Sequence, residues 1–510
     1  MKQQIDLRPD HASIVHDIIA RHLPSGVSVR VFGSRAKWNA KPHSDLDLAL
    51  KGKGPLPRAV LGDLAEAFSE SDLPFRVDVV DWHSVAPSFQ AVIDRDGFPL
   101  TVQLGQVTTL LSGGTPSKAN DAFWNGDIPW LTPKDMGQWE GTTEAHVTSG
   151  AIGKGARLAP ESASFVAVRG MSLHNQIRVV RSDRPITFNQ DIKAVVAGPS
   201  IDPDFLYYAL TAAKPVLLGL VSSAGHGTGV LDTDRLRSLE IPALPLSEQR
   251  NIASTIGGID DKIELNRRMN ETLERQAQAI FRDWFVDFGP VRRALAGAAD
   301  PVAIMGGLTP DPARAAHLAA LFPAAFGNDG LPVGWDFAPL SDLLVLQRGF
   351  DLPKTTRTDG DFPVIAASGP SGTHNEFKVK GPGVCTGRSG VLGGVYYVDG
   401  DFWPLNTSLW IKEYPGSTPL YAFHLLRGID LAGFNAGSAV PTLNRNHIHG
   451  LPTVKPPMAV IEAFDAIVSS FYAKMAAGRA ENQTLAETRD YLLPRLMSGA
   501  VRVAPQAETA

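Results

Sequence analysis

The chain has 510 residues, 44% hydrophobic and 20% charged, the make-up of ordinary globular protein with room for about three or four cores rather than a disordered tail. A net charge of −5 gives no support to DNA binding by bulk electrostatics, although a local basic stripe facing phosphates stays open. The single cysteine, Cys385, excludes an internal disulfide and fits a reducing cytoplasm; Met1 to Pro9 is polar rather than a basic-then-apolar signal, and no apolar run reaches the ~18 residues of a membrane span.

Residues 1–100 read as a compact α/β unit. Ile14, Val15, Ile18 and Ile19 recur at helical spacing, Val27 to Phe32 alternates like a strand, and Gly33-Ser34 breaks it. Leu46, Leu48 and Leu50 predict a second strand, Leu61 to Phe68 a helix, and Phe75 to Val80 a third strand. Asp45 and Asp47, two apart on one strand, share a face, and Asp78 can approach them from a neighbouring strand. Three converging carboxylates repel one another unless a divalent cation lies between them, and hard oxygen ligands suit Mg²⁺. Gly33 and Ser34, at a strand-to-helix turn, offer backbone N–H groups and a hydroxyl to a phosphate.

This pattern, Gly33-Ser34, then Asp45-Leu46-Asp47, then Val77-Asp78-Val79, resembles the minimal nucleotidyltransferases of the polymerase-β superfamily. The resemblance implies that Asp45, Asp47 and Asp78 are catalytic and hold Mg²⁺, while Gly33 and Ser34 bind a nucleoside triphosphate. Trp38 departs from the small residue more usual there and would alter the pocket mouth. Such domains often act as antitoxins beside helical RNases carrying Arg-x4-His; Arg169 and His174 have that spacing, but in a strand-like stretch, so the match is read as coincidence.

Residues 101–245 are rich in turn formers and short apolar runs, which predicts a mixed, mainly β globule. Its Asn, Gln, Lys and Arg side chains set among aromatics are an inventory for reading base edges, and equally that of any loop-rich surface. Ser247 is the expected N-cap of the helix that follows. Along it Ile259, Ile263, Asn266, Asn270, Leu273, Ala277, Ile280 and Trp284 make a coiled-coil seam, in which the asparagines set register and partner. At ~1.5 Å per residue, Ile259 to Trp284 spans about 40 Å, a little over one turn of B-DNA. A second helix, Met458 to Met497, carries the facing stripe Ile461, Phe464, Val468, Phe471, Met475, Asn482 and Leu485.

The chain also repeats itself. Gly225, Leu231, Leu239, Pro245, Asn270, Thr272 and Leu273 recur 212 residues later as Gly437, Leu443, Leu451, Pro457, Asn482, Thr484 and Leu485. A duplicated globule-plus-helix unit can fold as a pseudo-dimer, and two-fold symmetry suits DNA sites built of two half-sites.

Further motifs carry a second resemblance. Ser112-Gly113-Gly114-Thr115-Pro116, Trp124-Asn125-Gly126 with Ile128-Pro129-Trp130, Asn189-Gln190-Asp191, Glu248-Gln249 and Asn266 to Leu273 look like the specificity subunit of type I restriction–modification systems. The second half agrees through Val384 to Gly390, Trp403 to Thr407 and Gly437 to Asn444. What the resemblance implies is a multidomain α/β and α+β chain. It has a nucleotidyltransferase-like domain (1–100), target-recognition domain 1 (101–245) and spacer helix 1 (246–289). A linker (290–335), target-recognition domain 2 (336–457), spacer helix 2 (458–500) and a disordered tail (501–510) follow. The two mainly β domains would be separated by antiparallel paired helices in a pseudo-two-fold arrangement. Each domain would read one half of a bipartite site on double-stranded DNA; the helices would set the unread spacer and dock two methyltransferase subunits, which bind S-adenosylmethionine, and motor and restriction subunits would complete the enzyme.

No Gly-x4-Gly-Lys-Ser/Thr phosphate loop and no Asn/Asp-Pro-Pro-aromatic site occurs, so motor and methyl transfer are expected from partners, with no cofactor of the specificity part's own. Lys134, Asp135, Asn189, Gln190, Arg388, Ser389, Asn406 and Thr407 are the candidate DNA contacts. Sitting in motif-bearing loops, they are expected to hold loops or touch phosphate, with base discrimination in stretches such as 136–160 and 370–380. A different reading makes the N-terminal domain the working enzyme, transferring a nucleotide to protein or RNA with the DNA-reading part as its targeting platform; a free-standing toxin or antitoxin ranks last.

Overall fold

The computed structural model describes residues 5–24, 26–37, 39–41, 43–224, 227–435 and 440–503. Trp38, Gly225, Gly437, Ser438, Ala439 and positions 504–510 of the expected tail lie outside the described residues. The chain divides into two compact units, one formed by Met1–Ile263 with Gln483–Ala510 and the other by Glu264–Asn482. It passes from one to the other inside each of two long helices.

In the first unit, residues up to Leu100 form a four-stranded sheet with helices. Helix α1 (Pro9–His22) opens on a proline whose fixed φ suits the first turn, and it buries Val15 and Ile18. Strand β1 (Ser28–Phe32) is buried throughout and leads into the short helix α2 (Gly33–Ala36). Strand β2 (Leu46–Lys51), helix α3 (Arg58–Ser69) and strand β3 (Val77–Asp81) form a crossover, so β2 and β3 are parallel. Helix α4 (Pro87–Asp96) and strand β4 (Phe98–Pro99) complete the order β3-β2-β1-β4. The turn after the second long helix meets this domain: Arg30 donates to the Gly499 carbonyl at 3.3 Å and Arg502 pairs with Asp94 at 2.8 Å.

Residues 101–245 form the expected mainly β globule. Thr101–Gln103 pairs antiparallel with Glu240–Pro242 and closes its frame. Thr108–Ser112, Ile192–Ala197, Ser164–Ala167 and Val179–Arg181 make one sheet, and Trp124–Leu131 with Ile186–Phe188, His146–Val147 and Arg157–Ala159 another. Phe165 and Phe188 meet edge to face between them, both fully buried.

The second unit repeats the plan. Asp336–Pro339 pairs antiparallel with Pro452–Lys455 and frames a globule of two sheets, one of them Val345–Arg348, Ser408–Glu413, Gly383–Gly387 and Val395–Val398. The 212-residue offset holds in detail. Asp232 caps the helix Thr233–Arg237 by accepting from the Asp234 N–H at 2.8 Å, and Asn444 caps Arg445–His449 from the Asn446 N–H at 3.0 Å. The stretch 290–335 is folded: it carries helices Pro301–Ile304 and Pro312–Ala319 and contributes Met305, Leu318, Leu331 and Trp335 to the unit's core.

The long helices run Leu246–Phe285 and Met458–Met497. The first starts at Leu246, so Ser247 sits inside its first turn instead of capping it. Gln249 does the anchoring there, accepting from the Asp202 N–H (2.7 Å) and donating to the carbonyls of Ser200 (3.1 Å) and Leu244 (2.7 Å). The helices pair antiparallel, and each unit holds a part of the seam. In the first, Ile252, Ala253 and Ile256 share the core of the 101–245 globule with Leu493, Leu496 and Met497, and Asp260 pairs with Arg489 at 2.9 Å. In the second, buried Asn266 donates to Glu481 (2.7 Å) and Asn482 (2.9 Å), and Tyr472 donates to Glu274 (2.8 Å). Ala277, Ile280, Phe281 and Trp284 then pack with Val460, Ile461, Phe464 and Val468. Among the described residues, no helix is long and apolar enough to cross a membrane.

Candidate functional sites

The N-terminal carboxylates are placed by the β2–β3 register. Asp47 stands directly beside Asp78 across the parallel pair. Asp45 precedes β2 by one residue and is exposed, so it stands on the approach to the strand rather than on its face. Gly33 closes the group from the other side: its φ is +74°, and a Cβ there would lie 2.0 Å from the Asp47 Oδ2. Turn and carboxylate are therefore in contact, as a phosphate cradle beside a metal ligand requires. The Asp78 carboxylate pairs with Arg76 at 2.7 Å, and among the described residues no three His, Cys, Asp or Glu side chains are gathered closely enough to hold a metal ion. The donor chemistry fits a hard divalent cation, whose binding would draw Asp78 off Arg76.

One residue that the motif did not single out positions this site. Arg35, buried and stacked 3.9 Å from the Phe75 ring centroid, donates twice to the Ser44 carbonyl (3.1 and 2.7 Å) and once to that of Asp6 (2.9 Å). It ties the α2 turn to the residue just ahead of Asp45. An arginine that binds backbone and one that binds phosphate look alike in a sequence.

Burial raises the Asp47 pKa above the ordinary carboxylate range, and Asp78 and Asp45 push it the same way. A raised folded pKa means that the folded state holds the proton more tightly than the unfolded chain. Stability is therefore lost as pH rises from the ordinary aspartate pKa through the folded value, and at neutral pH the ionised Asp47 destabilises its domain. Mg²⁺ should raise the melting temperature of the wild-type domain, whereas Asp47→Asn should melt higher without Mg²⁺ and ignore its addition. Calorimetry of the full chain checks both; a wild type indifferent to Mg²⁺ together with a less stable variant would remove the metal assignment.

The candidate DNA contacts are mostly engaged within their own domains. Asp135 accepts from the Thr132 N–H (2.8 Å) and hydroxyl (2.6 Å) and from the Glu144 N–H (3.0 Å), while Lys134 pairs with Glu144 in solvent. Asn189 is buried and accepts from the Asp191 N–H (3.1 Å); exposed Gln190 accepts from the Thr115 hydroxyl (2.6 Å). In the second domain Arg388 donates to the Asn406 carbonyl (3.2 Å), Asn406 donates to Asp351, the Ser389 N–H donates to the Thr407 carbonyl (3.0 Å), and the Thr407 hydroxyl accepts from the Ala367 N–H (3.4 Å). Apart from Ser389, which is engaged through its backbone, these residues use side-chain groups within their own domains, which leaves fewer of those groups for a base edge. Arg169 falls on the strand Arg169–Gly170 and His174 on the short 3-10 helix Met171–His174, so the two do not share one helix face.

Known proteins match both parts of the chain. Residues 100–275 match the type I restriction modification DNA specificity domain, and residues 18–102 the polymerase beta nucleotidyltransferase domain. The MjaIX type I restriction enzyme specificity subunit of Methanocaldococcus jannaschii is 23% identical over 441 residues, covering 79% of this chain and 93% of that protein. A probable protein adenylyltransferase, MntA of Haemophilus influenzae, is 43% identical over 92 residues, 18% of this chain and 80% of that one. A crystal structure of a type I restriction–modification S subunit from M. genitalium aligns over 78% of this chain and 95% of its own, at 16% identity and a TM-score of 0.49.

Proposed function

We propose, from a chain that belongs to the type I restriction–modification specificity subunits and carries a nucleotidyltransferase domain ahead of them, how that role is divided among its parts. Residues 101–245 and 336–457 are the two recognition domains, each reading one half of a bipartite site on double-stranded DNA. The paired helices set the unread spacer and dock two methyltransferase subunits in the cytoplasm, with motor and restriction subunits completing the assembly. The observation that carries this division is the repeated frame, an antiparallel strand pair closing each globule (Thr101–Gln103 with Glu240–Pro242, Asp336–Pro339 with Pro452–Lys455) just before a long helix. Two-fold repetition of a reading domain is what a split site asks of a protein.

Long-read methylation mapping of cells expressing the chain with a type I methyltransferase tests this. The expected result is a methyl-adenine motif split by an unread gap. The double substitution Asp45→Ala with Asp47→Ala should leave that motif and its occupancy unchanged. Absence of a split motif, with the complex confirmed as assembled, would sink the division of labour.

A second reading adds an activity to the same chain. The contact of Gly33 with Asp47, and of Asp47 with Asp78 in register, favours a metal-dependent nucleotidyltransferase acting on protein or RNA. Asp45, Asp47 and Asp78 would hold Mg²⁺, which neutralises triphosphate charge when bound, and Gly33 and Ser34 would receive the phosphates. The same double variant should then lose transfer of label from ATP that the wild type performs.

A further inference from the structure

Each recognition domain raises an apolar side chain into solvent at the same point of its repeated topology. In the first, Arg169 pairs with Val230 and the Leu231 N–H donates to the Val168 carbonyl at 2.9 Å. In the second, Ser389 bridges Thr442 and the Leu443 N–H donates to the Arg388 carbonyl at 2.8 Å. Val230 and Leu231 plus 212 are Thr442 and Leu443, so Arg169 and Ser389 are equivalent positions. A glycine of positive φ follows in both, Gly170 at +148° and Gly390 at +94°, and a Cβ on either would meet no atom within 4 Å. The glycines therefore serve the backbone path and not close packing. That path lifts the next residue clear of the domain: Met171 is 77% exposed and Val391 51%.

The surroundings of Met171 show what such a loop can bind. Val168, Leu173 and Ile177 are buried in the domain core and fix the segment at its base. Between and beside these anchors Arg169, Asn175 and Gln176 are exposed, with no side-chain hydrogen bond among the described residues. The major groove presents guanine acceptors to arginine, the adenine edge to Asn and Gln, and the thymine methyl to an apolar side chain. A rigidly based loop holding one apolar contact among three free polar groups matches that surface.

We propose that residues 169–176 and their counterparts 389–394 are the base-reading loops of the two recognition domains, engaging base edges in the major groove of each half-site. This rests on the specificity-subunit reading above. The test is methylation mapping of the co-expressed complex with Arg169→Ala, Met171→Ala and Asn175→Ala, singly, and with Val391→Ala. The first three should reduce methylation of the wild-type motif roughly 10- to 100-fold, relaxing or changing bases in one half-site only. Val391→Ala should alter the other half-site alone, and Glu161→Ala, at an exposed position of the first domain outside the loop, should leave every recognised base unchanged. All the replaced side chains are exposed, so each variant should melt with the wild type. A wild-type complex that writes no split motif defeats the specificity-subunit reading. A wild-type split motif that all three loop variants write at full efficiency defeats the loop assignment. So does a loss that is uniform across DNA sequences, which marks phosphate contacts.

Discussion

Replacing Trp284 by Ala should destabilise the second unit by about 3–5 kcal/mol, the cost of deleting a large aromatic from a packed core. Trp284 is 1% exposed near the end of the first long helix and meets Phe322 edge to face at 5.1 Å, with Phe285 and Phe464 also in ring contact. It thus joins the helix pair to the folded stretch 290–335. No neighbouring backbone can collapse into the space, because Phe285 and Phe464 are themselves pinned by Tyr421 and Phe281. Calorimetry of the full chain should show the transition of the second unit lowered by on the order of 10 °C, with that of the N-terminal domain in place. A shift of only a degree or two would mean that the aromatic cluster is looser than its ring contacts indicate.

Gly113→Ala should unseat the 101–245 globule. A Cβ at Gly113 would lie 2.1 Å from the Asn189 carbonyl oxygen and 2.5 Å from both the Phe188 ring and its carbonyl oxygen. Two of those three atoms are backbone, and the third belongs to a fully buried phenylalanine packed on Phe165. Relief therefore has to move the 188–189 segment, with a cost at or above about 3 kcal/mol, the upper end for overpacking. Methylation by the assembled complex should fall at least tenfold, a loss no longer rescued by restoring DNA concentration. Wild-type melting and methylation would show that the two segments part without cost. Asn189 falls at the same contact, so its backbone has a packing role at this motif position.

The elements legible in the sequence were those whose signal lies along the chain. Helical spacing located α1, α3 and both long helices, because a 3.6-residue period needs no knowledge of the partner. The repeat at 212 residues located the paired frames, and the Gly33, Asp47, Asp78 pattern located a nucleotidyltransferase domain. Composition misread 290–335 as a plain connection: Ala, Gly and Pro look like a linker until Met305, Leu318 and Trp335 find a core to enter.

What the sequence by itself determined is thus the periodic and the repeated: element types and the duplicated unit. Tertiary structure alone decided which residues meet. It set Asp47 beside Asp78 through β-sheet register, gave Arg35 to the backbone of Ser44, joined Asn266 to Asn482, and left Met171 in solvent while Asn189 was buried. The physical reason is that burial and hydrogen bonding are settled by partners distant in sequence, and the same Asn or Arg side chain serves a loop or a ligand according to what stands opposite it.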